Sequence, residues 1–151
     1  MLSPVVPQWK DDRRQNPEVT LNMTIPHILI IEDNADLRRL YSRALMRAGY
    51  AVTATGVLAE AAKFLDQDRF DVLLCDIHIG DKRSTDLIHE KRTQLREQKT
   101  HVFMITGETG YSNIAEEVDA DLLLEKPVGL DTLVGLMSRL TQPSTCKQSV
   151  T

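Results

Sequence analysis

His27-Ile28-Leu29-Ile30-Ile31-Glu32-Asp33-Asn34 is the stretch that decides how this chain folds. Its first half is a short, continuous, β-branched apolar run, which suits a strand covered on both faces. Its second half is acidic and ends on Asn34, which with Asp33 is a candidate helix N-cap, and Asp36 falls in the first turn beyond it. Apolar residues then recur at Leu37, Leu40, Tyr41, Ala44, Leu45 and Ala48, the spacing of one helix face. Gly49 supplies the expected C′ stop. A buried strand therefore runs into an amphipathic helix across a pair of carboxylates.

The same alternation continues along the chain. Tyr50-Ala51-Val52-Thr53-Ala54 predicts a second strand, and Leu58, Ala61, Ala62 and Leu65 a second helical stripe. Phe70 to Cys75 predicts a third strand ending at Asp76. A helix over 86–95 follows, with Leu87, Ile88 and Leu95 inward and Lys91 where another core residue would fit. His101-Val102-Phe103-Met104-Ile105 predicts a fourth strand, ending at Thr106-Gly107. Residues 112–119 have room for only about two helical turns, with Ile114, Ala115 and Val118 inward. Leu122-Leu123-Leu124 predicts a fifth strand ending at Lys126-Pro127, and Leu130, Leu133, Val134, Met137 and Leu140 stripe a last helix. Five buried strands, each followed by a helix, imply an α/β fold with a doubly wound parallel sheet and helices on both faces.

The chain has 151 residues, 42% hydrophobic and 26% charged, the composition of one globular domain. Eighteen basic against 22 acidic side chains leave a net charge of −4, which argues against a general nucleic-acid binder. No apolar run approaches the ~18 residues of a membrane span, and the first residues lack a signal-peptide core. Cys75 and Cys146 form neither a disulfide framework nor a metal-ligand pair. A cytoplasmic protein, monomer or weak dimer, is expected. Residues 1–24 hold Pro4, Pro7, Pro17 and mixed charges, and read as a flexible arm in which Trp9 is the one candidate anchor. Residues 142–151 read as a flexible tail, leaving 25–141 as the folded domain.

In open parallel sheets the functional residues gather outside the carboxyl ends of the strands. Those ends read Glu32-Asp33, then Asp76, then Thr106-Gly107, then Lys126. Three carboxylates in one pocket disfavour each other's ionisation. A hard divalent cation removes that conflict, and Mg²⁺ fits best because it is held by one or two carboxylates, waters and phosphoryl oxygens. A carboxylate can also act as a nucleophile and form an acyl phosphate. The transferred group then needs positive charge on its oxygens, which Mg²⁺ and the Lys126 ammonium would supply, with the Thr106 hydroxyl as a hydrogen-bond partner. Singly, each of these residues has a plain reading as a cap, a turn or a common dipeptide. Their conjunction at four strand ends points to one site.

The segments Ile-Leu-Ile-Ile-Glu-Asp-Asn (28–34), Val-Leu-Leu-Cys-Asp-Ile (72–77), Val-Phe-Met-Ile-Thr-Gly (102–107) and Leu-Leu-Glu-Lys-Pro-Val (123–128) resemble the receiver domain of bacterial two-component response regulators. The resemblance covers nearly all of the chain between arm and tail. It implies a flavodoxin-like sheet of strand order 2-1-3-4-5. It implies that Asp76 accepts a phosphoryl group from a histidine kinase or histidine phosphotransfer protein. By the same analogy Glu32, Asp33, Asp76 and the backbone carbonyl of His78 organise Mg²⁺, Lys126 contacts the phosphoryl group, and Thr106 is the switch residue. Lys126-Pro127 would be a cis peptide. The His78 side chain and Glu108 would flank the path of a hydrolytic water.

The sequence departs from the family in four places. Ile79-Gly80 and Ser84 stand where receivers have a Met-Pro pair and then a glycine, so the loop after Asp76 is expected to take another path. Leu123 occupies the position of the switch aromatic. The segment from Thr106 to Lys126 is shorter than usual, and Lys91 replaces a core residue on the third helix. No effector domain fits after residue 141, so output by contact with a downstream protein or by phosphotransfer onward is expected, with no enzyme domain. A pseudo-receiver that works without phosphate is the alternative. A flavin-binding protein or phosphatase is disfavoured, because no phosphate-cradling loop follows the first strand and Asp76-Ile77-His78 lacks a second Asp.

Overall fold

The computed structural model describes residues 25–107 and 113–141. Strand β1 (His27–Ile31) leads into helix α1 (Ala35–Arg47), then β2 (Ala51–Thr55) and α2 (Leu58–Gln67). Strand β3 (Val72–Asp76) is followed by two short strands, β4 (His78–Ile79) and β5 (Lys82–Arg83), and by α3 (Thr85–Glu97). Strand β6 (His101–Thr106), helix α4 (Ile114–Glu117), strand β7 (Leu122–Glu125) and helix α5 (Leu130–Thr141) complete the described elements. The expected arm, Trp9, the tail, Cys146 and Glu108 lie outside the described residues.

The main sheet has the order β2-β1-β3-β6-β7, and all its pairings are parallel. With the β4–β5 ribbon set aside, this is the 2-1-3-4-5 order of a flavodoxin-like sheet. Side chains alternate across each strand, so the sheet buries two separate cores. Ile28, Ile30, Val72, Leu74, Phe103 and Ile105 pack against Tyr41 and Leu45 of α1 and Leu133 and Met137 of α5. Leu29, Ile31, Leu73, Cys75 and Met104 face the other way, against Ala61 and Leu65 of α2, Leu87, Ile88 and Leu95 of α3, and Ile114 of α4. Burying one such Leu or Ile side chain contributes about 1.5–3 kcal/mol, which is why the interior positions of the three central strands are all apolar or Cys.

Local signals set the boundaries. The Asn34 side chain accepts hydrogen bonds from the Asp36 and Leu37 amides, which caps α1. Gly49 adopts φ +99°, a left-handed conformation suited to ending that helix. The expected second strand is displaced by one residue, because Tyr50 bridges the helix end to β2 and meets the Thr141 hydroxyl at 3.0 Å. The third strand begins at Val72, while Phe70 lies buried against the His27 ring.

Two expectations need correction. The five strands are not all buried: β2 and β7 are the sheet edges, and Leu122, Leu123 and Leu124 are only half-buried. The short helix before β7 is a single turn in the described residues, with Ile114 and Val118 inward. Among the described residues no helix is long and apolar enough to cross a membrane.

Candidate functional site

Register builds the site. Ile31 pairs with Cys75, Asp76 with Ile105, and Thr106 with Glu125. Parallel strands aligned in this way end at one level, so the residues just past their last apolar positions meet: Glu32, Asp33, Asp76, Thr106 and Lys126. The Glu32 amide is held by the Thr55 carbonyl at 3.0 Å, and the Lys126 amide by the Thr106 carbonyl at 2.7 Å. The Lys126-Pro127 peptide is cis.

Glu32, Asp33 and Asp76 each bring a carboxylate oxygen to within 4.8 Å of the others. Glu32 and Asp76 are buried, and Asp33 is exposed. The Lys126 ammonium lies 2.6 Å from Asp76 Oδ2 and 3.0 Å from Glu32 Oε2. The first contact is a hydrogen bond. The second is an ion pair without hydrogen-bond alignment, which leaves Glu32 Oε2 buried and without a hydrogen-bonding partner. One ammonium cannot neutralise three carboxylates. Burial therefore pushes the Glu32 carboxyl above its usual range, and the Asp76 charge adds to this, against the pull of Lys126 and the Asn34 amide. Burial alone would lower the Lys126 ammonium, yet its bonds to Asp76 and Glu32 outweigh that and raise it. Asp33 is lowered, chiefly because the Gly80 amide donates to its Oδ2 at 3.0 Å.

The donor set fits a hard divalent cation. All the ligands are oxygens, one buried oxygen lacks a donor, and three negative charges face one positive. The cluster resolves the repulsion expected from the sequence only in part, which is the situation a bound dication would complete.

Beyond Asp76 the chain leaves the main sheet. It forms a two-stranded antiparallel ribbon, His78 opposite Arg83 and Ile79 opposite Lys82, with Gly80 at φ +64° in the turn. The His78 amide donates to Asp76 Oδ1 at 3.1 Å. Ser84 is buried and donates from its hydroxyl to the Asp76 carbonyl at 2.6 Å. Sequence reasoning noted Gly80 and Ser84 only as departures. It missed Arg38, whose guanidinium donates to the Glu32 carbonyl at 2.8 Å and so anchors the acidic corner from behind. An added Cβ at Gly56 would meet that guanidinium at 2.7 Å and the Glu32 carbonyl at 3.3 Å, so a side chain there would press on the Arg38–Glu32 contact.

Thr106 is buried at the end of β6 beside this cluster, and the Lys126 stem passes Gly107. Leu123 packs on the α2–α3 side of the sheet. Lys91 is not a core residue: it bridges from α3 to Asp66 at the end of α2, at 2.6 Å. Two aspartates that follow α4 have structural partners. Asp119 pairs with Arg96 at 2.6 Å, and Asp121 accepts from the Val102 amide at 2.7 Å. Burial pushes the Cys75 thiol up to about 12, so it is an inert core group.

The profile of the response regulator receiver domain matches residues 28–138. The chain is 31% identical over 104 residues to Protein PetR of Rhodobacter capsulatus, covering 68% of this chain and 43% of PetR. It is 30% identical over 118 residues to the response regulator receiver protein CpdR of Brucella abortus, covering 75% of this chain and 94% of CpdR. Its structure is similar to that of the chemotaxis response regulator CheY4 of Vibrio cholerae, with a TM-score of 0.71 and 27% identity over 78% of this chain and 99% of CheY4. Profile, relatives and fold agree, and the chain belongs to the response regulator receiver domain family.

Proposed function

We propose that the domain over 25–141 is a phosphoacceptor receiver in a two-component phosphorelay, with Asp76 as the acceptor. The observation that carries this reading is the Asp76 carboxylate itself. Its Oδ1 faces the His78 amide, its Oδ2 faces the Lys126 ammonium, and it shares a pocket with Glu32 and Asp33. The phosphoryl donor is a histidine kinase or a histidine phosphotransfer protein. An Asp76 oxygen attacks phosphorus, and the P–N bond of the donor's phosphohistidine breaks with its electron pair returning to the imidazole nitrogen. With acetyl phosphate as donor, the P–O bond breaks and the pair leaves on acetate. Lys126 lies where its ammonium can balance the phosphoryl oxygens, and Thr106 brings a hydroxyl from the neighbouring strand.

Glu32, Asp33, Asp76 and the His78 carbonyl are the residues that would hold Mg²⁺. When bound, the ion would supply the countercharge that Lys126 alone does not. The output we propose is a contact between the receiver surface and a downstream protein. The test is incubation with Mg²⁺ and acetyl phosphate followed by intact mass. The wild type gains one phosphoryl group and Asp76→Asn gains none.

Leu123 in place of a switch aromatic and the one-turn α4 favour a second reading, a pseudo-receiver whose contacts do not depend on phosphate. That reading requires partner binding to be unchanged in Asp76→Asn.

A further inference from the structure

Ser84 precedes α3 at its N-cap position, where a serine oxygen normally accepts a hydrogen bond from the first helical turn. Here it makes no such bond. Its backbone is in the right-handed helical region, and its side chain turns back toward the acceptor strand. The hydroxyl lies 2.6 Å from the Asp76 carbonyl and 3.2 Å from the Ile77 carbonyl. The Ser84 amide also donates to the Ile77 carbonyl, at 2.9 Å. The residue is 0% exposed. The β4–β5 ribbon is thus closed at its base by Ser84, while Gly80 in its turn is tied to Asp33.

We infer that Ser84 is a positioning residue for the Asp76 carboxylate, acting through the peptides at 76–78. The Asp76 and Ile77 carbonyls are the groups that Ser84 grips, and the next amide, that of His78, donates to Asp76 Oδ1 at 3.1 Å. The Ile77 carbonyl and the His78 amide belong to one planar peptide unit, so holding that carbonyl aims the amide. The carboxylate is then held at Oδ1 by this amide and at Oδ2 by Lys126, which limits its rotation before attack. A glycine or alanine at 84 would keep the chain path and lose the side-chain grip. The inference rests on the proposed phosphorylation of Asp76.

The experiment compares wild type, Ser84→Ala and Ser84→Thr in labelling by acetyl phosphate with Mg²⁺, followed by intact mass, with hydrogen exchange of the 76–84 segment. The expected result is a loss on the order of 10-fold in the limiting rate for Ser84→Ala. The half-saturating acetyl phosphate concentration stays unchanged, and the His78 amide exchanges faster. Ser84→Thr restores the rate, since it keeps the hydroxyl. Where the threonine methyl prevents folding, Ser84→Gly takes its place and must match Ser84→Ala. Labelling of Ser84→Ala at the wild-type rate, or an unchanged His78 amide, overturns the inference while leaving Asp76 as acceptor. A wild type that is never labelled overturns both readings.

Discussion

Two lysines in this molecule hold an aspartate at the same distance and do different things. Lys126 Nζ lies 2.6 Å from Asp76, and Lys91 Nζ lies 2.6 Å from Asp66. The Asp76 side chain is 8% exposed and the Asp66 side chain 58%. Lys126 also faces the buried Glu32, whereas Lys91 joins two helix surfaces beside solvent. Hydrogen bonding to Asp66 raises the Lys91 ammonium, as bonds to Asp76 and Glu32 raise Lys126, so neither distance nor pKa direction separates the two. Burial of the carboxylates and charge imbalance separate them, because the lysine side chains themselves are similarly covered, 14% exposed in Lys91 and 23% in Lys126. An exposed pair exchanges one good hydration for another, while a buried one leaves an uncompensated charge when a partner is removed.

Replacing Lys126 is the largest test of that difference. Lys126→Met leaves Glu32 and Asp76 buried without their cation and should cost about 3–5 kcal/mol at neutral pH. The loss should shrink as pH falls toward the carboxylate range. Glu32 already titrates above its ordinary 4.5 in the fold, so its contribution is largest below 4.5 and is lost as pH rises through the folded value. Urea midpoints at acid and neutral pH check this, and a pH-independent loss would contradict it. In the wild type the contribution of Lys126 has the same sign but lies in a far higher pH window. Its pKa is raised above 10.5, so that stability is present throughout the neutral range and fades only in strong alkali.

Mg²⁺ is the next largest. Only the folded state gathers the three carboxylates, so at a hundredfold excess over its dissociation constant the ion should add about 2.7 kcal/mol. Asp33→Ala should lose most of that gain, and Lys91→Met should keep all of it. Thermal melts in low salt with and without Mg²⁺ decide the point. A wild type indifferent to Mg²⁺ would mean the cluster is not a metal site.

A phosphoryl mimic should sharpen the contrast further. With beryllofluoride and Mg²⁺, amide exchange should slow over 107–119, a stretch that follows Thr106 and whose sequence carries few apolar residues, as the new oxygens recruit donors. The 130–140 segment and the α2–α3 contact around Asp66 and Lys91 should change little. Changes centred on α5 would place the output surface elsewhere. The smallest expected effect is that of Lys91→Met itself, a minor shift of the urea midpoint with no change in phosphorylation. A loss comparable to that of Lys126→Met would erase the distinction between the two pairs.

How much of this was readable from the chain follows from the same physics. Continuous apolar runs marked β1, β3 and β6, and their shared register turned four separated segments into one site, since strands that end level bring their next residues together. The exposure of the edge strands was not readable from composition. Leu122-Leu123-Leu124 has the composition of a buried strand, and its half-exposure depends on having no neighbour beyond it. The β4–β5 ribbon was invisible because two-residue strands carrying Lys82 and Arg83 show no period. Lys91 stood out as a polar residue in an apolar stripe, but its partner Asp66 sits 25 residues earlier on another helix. Ser84 stood out only as a departure from a pattern, because the direction of its hydroxyl is set by tertiary packing.

The most direct measurement is the mass of the protein after incubation with acetyl phosphate and Mg²⁺, followed by peptide mapping of the labelled form. The account predicts one added phosphoryl group, located on Asp76, absent when Mg²⁺ is chelated and absent in Asp76→Asn. Label on another residue, or undiminished label in Asp76→Asn, would contradict it.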